Sequence, residues 1–462
     1  MPSINQAPVS ADAAHNLGES TIWARRPAAY EYNGQTTKCY DVQWVTAILV
    51  ATVTYQAILC MIDTQTHWVS RSLVGLAEVF ILAACIPILT RRLLVGVLIL
   101  AAFLGANLCL LSLFTDQVNV KAFRDLLIPL CYFWLGCNLG KPDLADRALT
   151  VAIAVVLGFG FLELLFLDAY TTVFDIFSYY VNIGNLQPIT EYVRESRLQL
   201  NGIRPEGIGR TLLPSLLGSH RVSSVFLEPV SLGNFAAICA AWGLSRDKAD
   251  TNKMAFFVAA AIVLMVLSDS RFALMSVSIM IGMRLLLVGK ANNLAVFAPF
   301  AAVGLLLTLG YGTHERGDDN FHDRLALSGR SLLDFDLPML LGNAPGEHFA
   351  DQGYAYVIST FGLPLCLALW FSFWLLKMPN ESSQRFRAFA SVYIALILCV
   401  SGYSLFALKS AGILWFLVGT SLKAPALPDD SLALPPHLSP ALSSGGNTTS
   451  VSPKNSPKRA PL

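Results

Sequence analysis

Charge is what this 462-residue chain has least of. Asp, Glu, Lys and Arg make up 14% of it, where a soluble domain carries roughly 25%. A water-facing surface is hard to build from so little, which excludes an ordinary soluble enzyme. Charge of one sign is missing as well. The 32 Lys and Arg stand against 31 Asp and Glu for a net of +1, without the basic excess of a nucleic-acid binder. The cysteines contain no CxxC and no disulfide framework. Cys60, Cys85, Cys109, Cys131, Cys137, Cys239, Cys366 and Cys399 fall in or beside apolar runs, and only Cys39 lies in polar sequence. They read as small packing residues. A Walker A loop, a dinucleotide fingerprint and a GxSxG nucleophile setting are all absent, so an ATP-driven transporter is unsupported. The first 41 residues hold no apolar stretch of signal-peptide type.

Apolar sequence is what the chain has in abundance, at 54% of residues. From Val42 to Leu422, runs of about 15 to 23 apolar residues recur, and a bilayer core takes ~20 residues of helix to cross. Backbone groups in lipid must be satisfied within the segment. The expected fold is therefore all-α, a polytopic integral membrane helix bundle. Twelve candidate spans are 42–62, 73–89, 93–114, 122–139, 148–167, 225–245, 254–269, 271–289, 294–311, 354–376, 388–408 and 410–422. The last is short and the fourth is mixed, so counts of ten or eleven stay open.

Short loops rich in Lys and Arg face the cytoplasm. Arg91 and Arg92, Lys141 and Arg147, Arg246, Lys248 and Lys253, Arg284 and Lys290, and Lys377, Arg385 and Arg387 occupy alternate loops. Both termini are then cytoplasmic. The chain divides into a polar segment 1–41, a membrane domain 42–422 and a Pro/Ser-rich disordered tail 423–462. Two long extracytoplasmic loops, 168–224 and 312–353, exceed simple connections and are the expected places for function.

The first loop holds Arg194, Arg197, Arg204, Arg210 and Arg221 on the side where the charge bias disfavours them. Arg–Glu pairs with Glu191, Glu195 and Glu206 in a solvated loop are one reading. Bidentate capture of phosphate oxygens is the other. Glu228, followed by Pro229, stands at the head of a span. It is either a carboxylate capping the helix N-terminus or a general base, or an orienter of an arginine. Ser268-Asp269-Ser270-Arg271 breaks two apolar runs, as a tight turn or as a functional arginine at a span head. The second loop contributes Arg324, Arg330, His348, Asp351 and Tyr354. His314, His322 and the aspartates 318, 319 and 323 match no standard metal-ligand spacing. Glu78, Glu163 and Lys409 are further ionisable residues in or near spans, for which packing pairs are equally plausible.

Three stretches carry a resemblance. They are Arg221-Val222-Ser223-Ser224-Val225-Phe226-Leu227-Glu228-Pro229 with Gly233-Asn234; Ser268-Asp269-Ser270-Arg271; and Gly329-Arg330, Leu341-Gly342-Asn343, Ala350-Asp351-Gln352-Gly353-Tyr354 and Phe361-Gly362-Leu363. The chain resembles the O-antigen ligase and Wzy-type polysaccharide polymerase superfamily, mainly over Arg221 to about Leu367. Ligases place a His where this chain has Asp351-Gln352, which favours an exopolysaccharide polymerase of the xanthan or acetan kind. The resemblance implies polymerisation of undecaprenyl-pyrophosphate-linked repeat units at the outer face of a bacterial cytoplasmic (inner) membrane, inverting, with no cofactor and no metal. It implies catalytic roles for Glu228, Arg221, Arg271, Asp351 and His348. Substrate binding would fall to Arg204, Arg210, Arg324, Arg330 and Tyr354. Expected partners are lipid-linked oligosaccharides, membrane lipid, a chain-length regulator and export proteins, with no nucleic acid. A ligase, and a transporter or flippase, are the alternatives. A transporter predicts symmetric halves, and the sequence shows none.

Overall fold

The structure is a computed structural model. It describes residues 30–32, 35–37, 39–91, 93–115, 119–139, 142–184, 197–203, 210–213, 217–218, 220–287, 289–312, 321–343, 349 and 352–422. All of these belong to one compact unit, Met1–Ala424.

The described chain is helical, as expected, apart from a small antiparallel hairpin of Tyr30–Tyr32 and Gln35–Thr37. The helices in order are α1 (Cys39–Thr66), α2 (Arg71–Leu89), α3 (Val95–Thr115), α4 (Val120–Leu139), α5 (Pro142–Leu165), α6 (Leu167–Val173) and α7 (Ile176–Asn182). There follow α8 (Pro229–Ser245), α9 (Thr251–Ser268), α10 (Arg271–Leu286), α11 (Ala298–Gly312), α12 (Phe321–Leu333) and α13 (Leu337–Leu340). Last come α14 (Gly353–Phe361), α15 (Leu363–Leu375), α16 (Glu381–Ile397) and α17 (Leu408–Thr420). Local chemistry starts many of them. Ser70, Asp175, Ser270, Asp336 and Asn380 each accept a backbone N–H of the first turn. Proline opens α8, α13 and α15, where its missing N–H leaves no helix bond broken.

Among the described residues, six helical segments are long and apolar enough to cross a membrane: Asp41–Thr66, Arg71–Leu89, Val95–Phe114, Pro142–Leu165, Lys248–Ser268 and Ala291–Gly312. Helices α14 and α15 form a pair bent by 106°, a broken span or a re-entrant turn. Each of the other expected runs also contains a helix, with a physical reason for falling short. Helix α4 carries Lys121, Arg124 and Asp125, and α8, α10, α16 and α17 have 17, 16, 17 and 13 residues. The run 388–408 is helical only to Ile397. The two expected loops are not plain loops: the first contains α6 and α7, and the second contains α12 and α13.

Helix α8 is the centre of the bundle. Nearly all its side chains are buried, against α9, α10 and α16. Helix α17 is buried in the same way against α4. At one end of the bundle the short-loop charges meet. Arg246 pairs with Asp146, Lys253 with Asp143 at 2.5 Å and Asp146 at 3.2 Å, and Arg385 with Asp247. Arg284 donates to the Arg246 carbonyl at 2.8 Å. The chain segments around Asp143, Arg246, Arg284 and Arg385, which the charge bias assigns to one side, are thus neighbours in space.

Candidate functional site

The opposite end of the bundle is organised around the turn between α9 and α10. Helix α9 stops because Asp269 adopts a left-handed backbone, φ +46°. That leaves the carbonyls of the last turn without helical donors. Two arginines supply them. Arg210 donates to Val266 O at 2.6 Å, to Leu267 O, and to Leu217 O at 3.0 Å. Arg221 donates from Nε to Ser268 O at 3.0 Å and from a terminal nitrogen to Asn201 O at 3.1 Å. Cations at this helix end also complement its dipole. The Asp269 carboxylate accepts the N–H groups of Thr211 and Leu212 at 3.0 and 2.7 Å. Arg271, the first residue of α10, is exposed and reaches Thr211 Oγ1 at 3.2 Å. Arg210, Arg221, Asp269 and Arg271 therefore share one turn.

The segment leading to Glu228 is pinned residue by residue. Val222 N–H donates to Leu267 O at 3.0 Å. The Ser223 and Ser224 N–H groups donate to the fully buried carboxylate of Glu163, at 2.9 and 2.6 Å. The Tyr170 hydroxyl holds Ser224 O at 2.8 Å. A single 3-10 turn over Ser224–Phe226 and a left-handed Leu227, φ +60°, then swing Glu228 into the position before α8.

Glu228 makes no side-chain cap on that helix. Its carboxylate turns aside into a polar cluster. Oε1 accepts from the Tyr180 hydroxyl at 3.0 Å, and Oε2 accepts from Ser231 Oγ at 2.7 Å and Lys409 Nζ at 3.1 Å. Lys409, on α17, is buried and donates also to Gln56 Oε1 at 2.9 Å and Phe226 O at 3.0 Å. Its ammonium is thus fully engaged, whereas the Glu228 side chain keeps 30% exposure. Gly233, a turn and a half farther along α8, lets the two motifs touch. A Cβ there would collide with the side chain of Ser270.

A second polar cluster lies between α2 and α4. Glu78 accepts from Tyr55 at 2.9 Å and Arg124 at 3.4 Å, and Asp125 accepts from Arg124 at 2.8 Å and Tyr356 at 2.7 Å. The Tyr179 hydroxyl is buried without a hydrogen-bond partner among the described residues.

The remaining expected site residues fall elsewhere. Arg324 is exposed and Arg330 half-buried on α12, which packs on α11 where Gly310 meets Gly329 backbone to backbone. Tyr354 is 7% exposed, and its hydroxyl donates to Ala395 O at 3.1 Å. Arg204, His348 and Asp351 lie outside the described residues. Tyr180 and Ser231 carried no signal in the sequence, while Lys409 did, as an ionisable residue in an apolar run. His220, one residue before Arg221, has its pKa pushed down to about 4, by burial first and by Arg210 second. Its Nε2 is buried without a partner among the described residues. No group of three or more His, Cys, Asp or Glu among the described residues could hold a metal ion.

No family model, curated protein or solved structure matches the chain. Chemically, the arrangement offers a part-exposed carboxylate oriented by a lysine, a tyrosine and a serine. An exposed guanidinium lies on the neighbouring helix head.

Proposed function

We propose that the chain is an integral membrane glycosyltransferase that polymerises lipid-pyrophosphate-linked oligosaccharide repeat units at the outer face of a bacterial cytoplasmic membrane. The observation that carries this reading is the meeting of two motifs. Residues 221–234 and 268–271, far apart in sequence, pack together at Gly233 and Ser270, with Glu228 part-exposed and Arg271 exposed beside that contact. The gathering of the short-loop cations at the other end supports the assignment of this end to the outer side. A topology of ten to twelve spans with both termini inside belongs to the same proposal.

In the proposed reaction an acceptor sugar hydroxyl attacks the anomeric carbon of the donor. The new glycosidic bond forms as the bond to pyrophosphate breaks, and the electron pair leaves on a pyrophosphate oxygen. Glu228 takes the hydroxyl proton as general base. Lys409 and Tyr180 hold its carboxylate in one place. Arg271 stabilises the charge growing on the leaving pyrophosphate. Arg221 and Arg210 position Arg271 by fixing the end of α9.

The profile of lipid-linked saccharides in a deletion strain tests the class. A polymerase leaves single repeat units, and a ligase leaves long polymer on its carrier. Single repeats are expected; long lipid-linked polymer would assign the chain to ligation instead.

A further inference from the structure

Glu163 stands near the end of α5, and its side chain is fully buried. A carboxylate buried in a membrane span is costly and marks a functional candidate. The proposed chemistry gives it no task. Both of its oxygens are occupied by two consecutive backbone amides. Ser223 N–H donates to each oxygen at 2.9 Å, and Ser224 N–H donates to Oε2 at 2.6 Å. Bonds from backbone N–H groups to a carboxylate are charge-assisted and among the strong ones. Helix α5 holds the same stretch again two turns earlier, where the Val156 carbonyl accepts from Ser224 Oγ at 2.6 Å. From α6, the Tyr170 hydroxyl donates to Ser224 O at 2.8 Å.

What these groups hold is a strained piece of chain. Ser224 and Leu227 both have left-handed backbones, φ +52° and +60°, and both are wholly buried. Residues that carry a Cβ populate this region sparsely, and they stay there where the surroundings over-determine them. Relaxation of either residue would redirect the chain that follows, and Glu228 is the residue after Leu227. Lys409 holds the far side of the segment. It donates to Phe226 O at 3.0 Å and to the Glu228 carboxylate at 3.1 Å. Residues 223–227 therefore run between the buried side chains of Glu163 and Lys409 and end on the proposed base. Glutamine cannot take the place of Glu163. It keeps one acceptor oxygen, and its NH2 group would meet the Ser223 N–H donor to donor.

We propose that Glu163 is a positioning residue for glycosyl transfer, which holds the strained segment 223–227 and so sets the Glu228 carboxylate against the acceptor hydroxyl. The effect on rate rests on the transferase reading, whereas the hold on the backbone does not, so the two are measured separately. Hydrogen–deuterium exchange of the purified full-length protein reads the backbone. Peptides covering 222–228 should exchange on the order of tenfold faster in Glu163→Gln, with α8 and α9 unchanged. Tyr170→Phe removes one hydroxyl and leaves its ring on Phe174, with centroids 4.8 Å apart. It should show the same local loss of protection with less disturbance of the fold. Unchanged exchange at 222–228 in both variants would overturn the proposal. Turnover is read in liposomes supplied with lipid-linked repeat units. Glu163→Gln should lower kcat roughly a hundredfold, the cost of a misplacement of about 1 Å, with KM unchanged. In a Glu228→Asp background, where the carboxylate is already withdrawn, the same change should have a much smaller effect, because both act through one group. Equal fold-losses in the two backgrounds would show a general structural role and overturn the proposal. Polymer from the unmodified protein with undiminished kcat in Glu163→Gln would overturn the proposal alone; no polymer from the unmodified protein would overturn the transferase reading and the proposal with it.

Discussion

Glu228 and Lys409 show how much depends on two side chains. Lys409 is buried, and its three donors go to Glu228, Gln56 and the Phe226 carbonyl. Removing one member of such a pair leaves the other charge without its partner, at a cost of roughly 3–5 kcal/mol when both are buried; the partial exposure of Glu228 puts this site at the lower end. Lys409→Met and Glu228→Gln should each lower the thermal unfolding temperature in detergent. The double variant should recover stability but not polymer synthesis, because the base is still missing. Recovery of synthesis in the double variant would remove Glu228 from the chemistry. His220 gives a pH prediction. Its folded pKa of about 4 lies below the ordinary 6.5, so the fold favours the neutral ring. Stability from this group is complete above pH 6.5 and is lost as pH falls toward 4. The slope is at most about 1.4 kcal/mol per pH unit. His220→Gln should flatten the decline of unfolding temperature over that range; an unchanged slope would exclude His220 as its source.

At the scale of elements, the contact of α8 with the α9–α10 turn is the decisive joint. Gly233→Ala places a methyl against Ser270, an overpacking that costs typically ~1–3 kcal/mol. Ser270→Gly removes the obstructing atoms and loses only a few tenths of a kcal/mol as an N-cap. The two changes together should therefore be more stable than Gly233→Ala alone, read as unfolding temperature in detergent. Additive losses would place the strain elsewhere. This joint was half legible in the sequence. The residues at 221–234 and 268–271 stood out, because carboxylates and arginines at span heads are conspicuous against apolar runs. Their division of labour was not legible. Arg210 and Arg221 read as phosphate ligands, and the structure shows them on the carbonyls that end α9. That use depends on the left-handed Asp269 and on the return of the chain at 210, neither of which a spacing pattern reveals. Glu228 read equally as a cap, and its true neighbours Tyr180 and Lys409 lie 48 and 181 residues away.

For the whole molecule, the sparse charge of the sequence is distributed by end. Arg246, Lys253 and Arg385 pair with Asp146, Asp143 and Asp247 at one end, and Arg221, Asp269, Arg271 and Glu228 gather at the other. Periodic apolar runs and alternate basic loops were enough to read this in advance. Span number was not, because α10 and α17 are too short, and α14 and α15 break where one continuous run was expected. The polarity predicts thiol labelling. Cysteines introduced at the exposed positions Asp168 and Lys248 should differ in intact cells. An impermeant reagent should label Asp168→Cys directly and Lys248→Cys only after permeabilisation; the reverse pattern would invert the topology and move the Glu228 site to the cytoplasm. The central claim is polymerisation at that site. It is tested most directly by purified protein in liposomes supplied with lipid-linked repeat units, without nucleotide or ion gradient. Polymer should form with the unmodified protein and only single repeats should remain with Arg271→Ala or Glu228→Gln. Polymer of normal length from both variants at normal protein level would contradict the account.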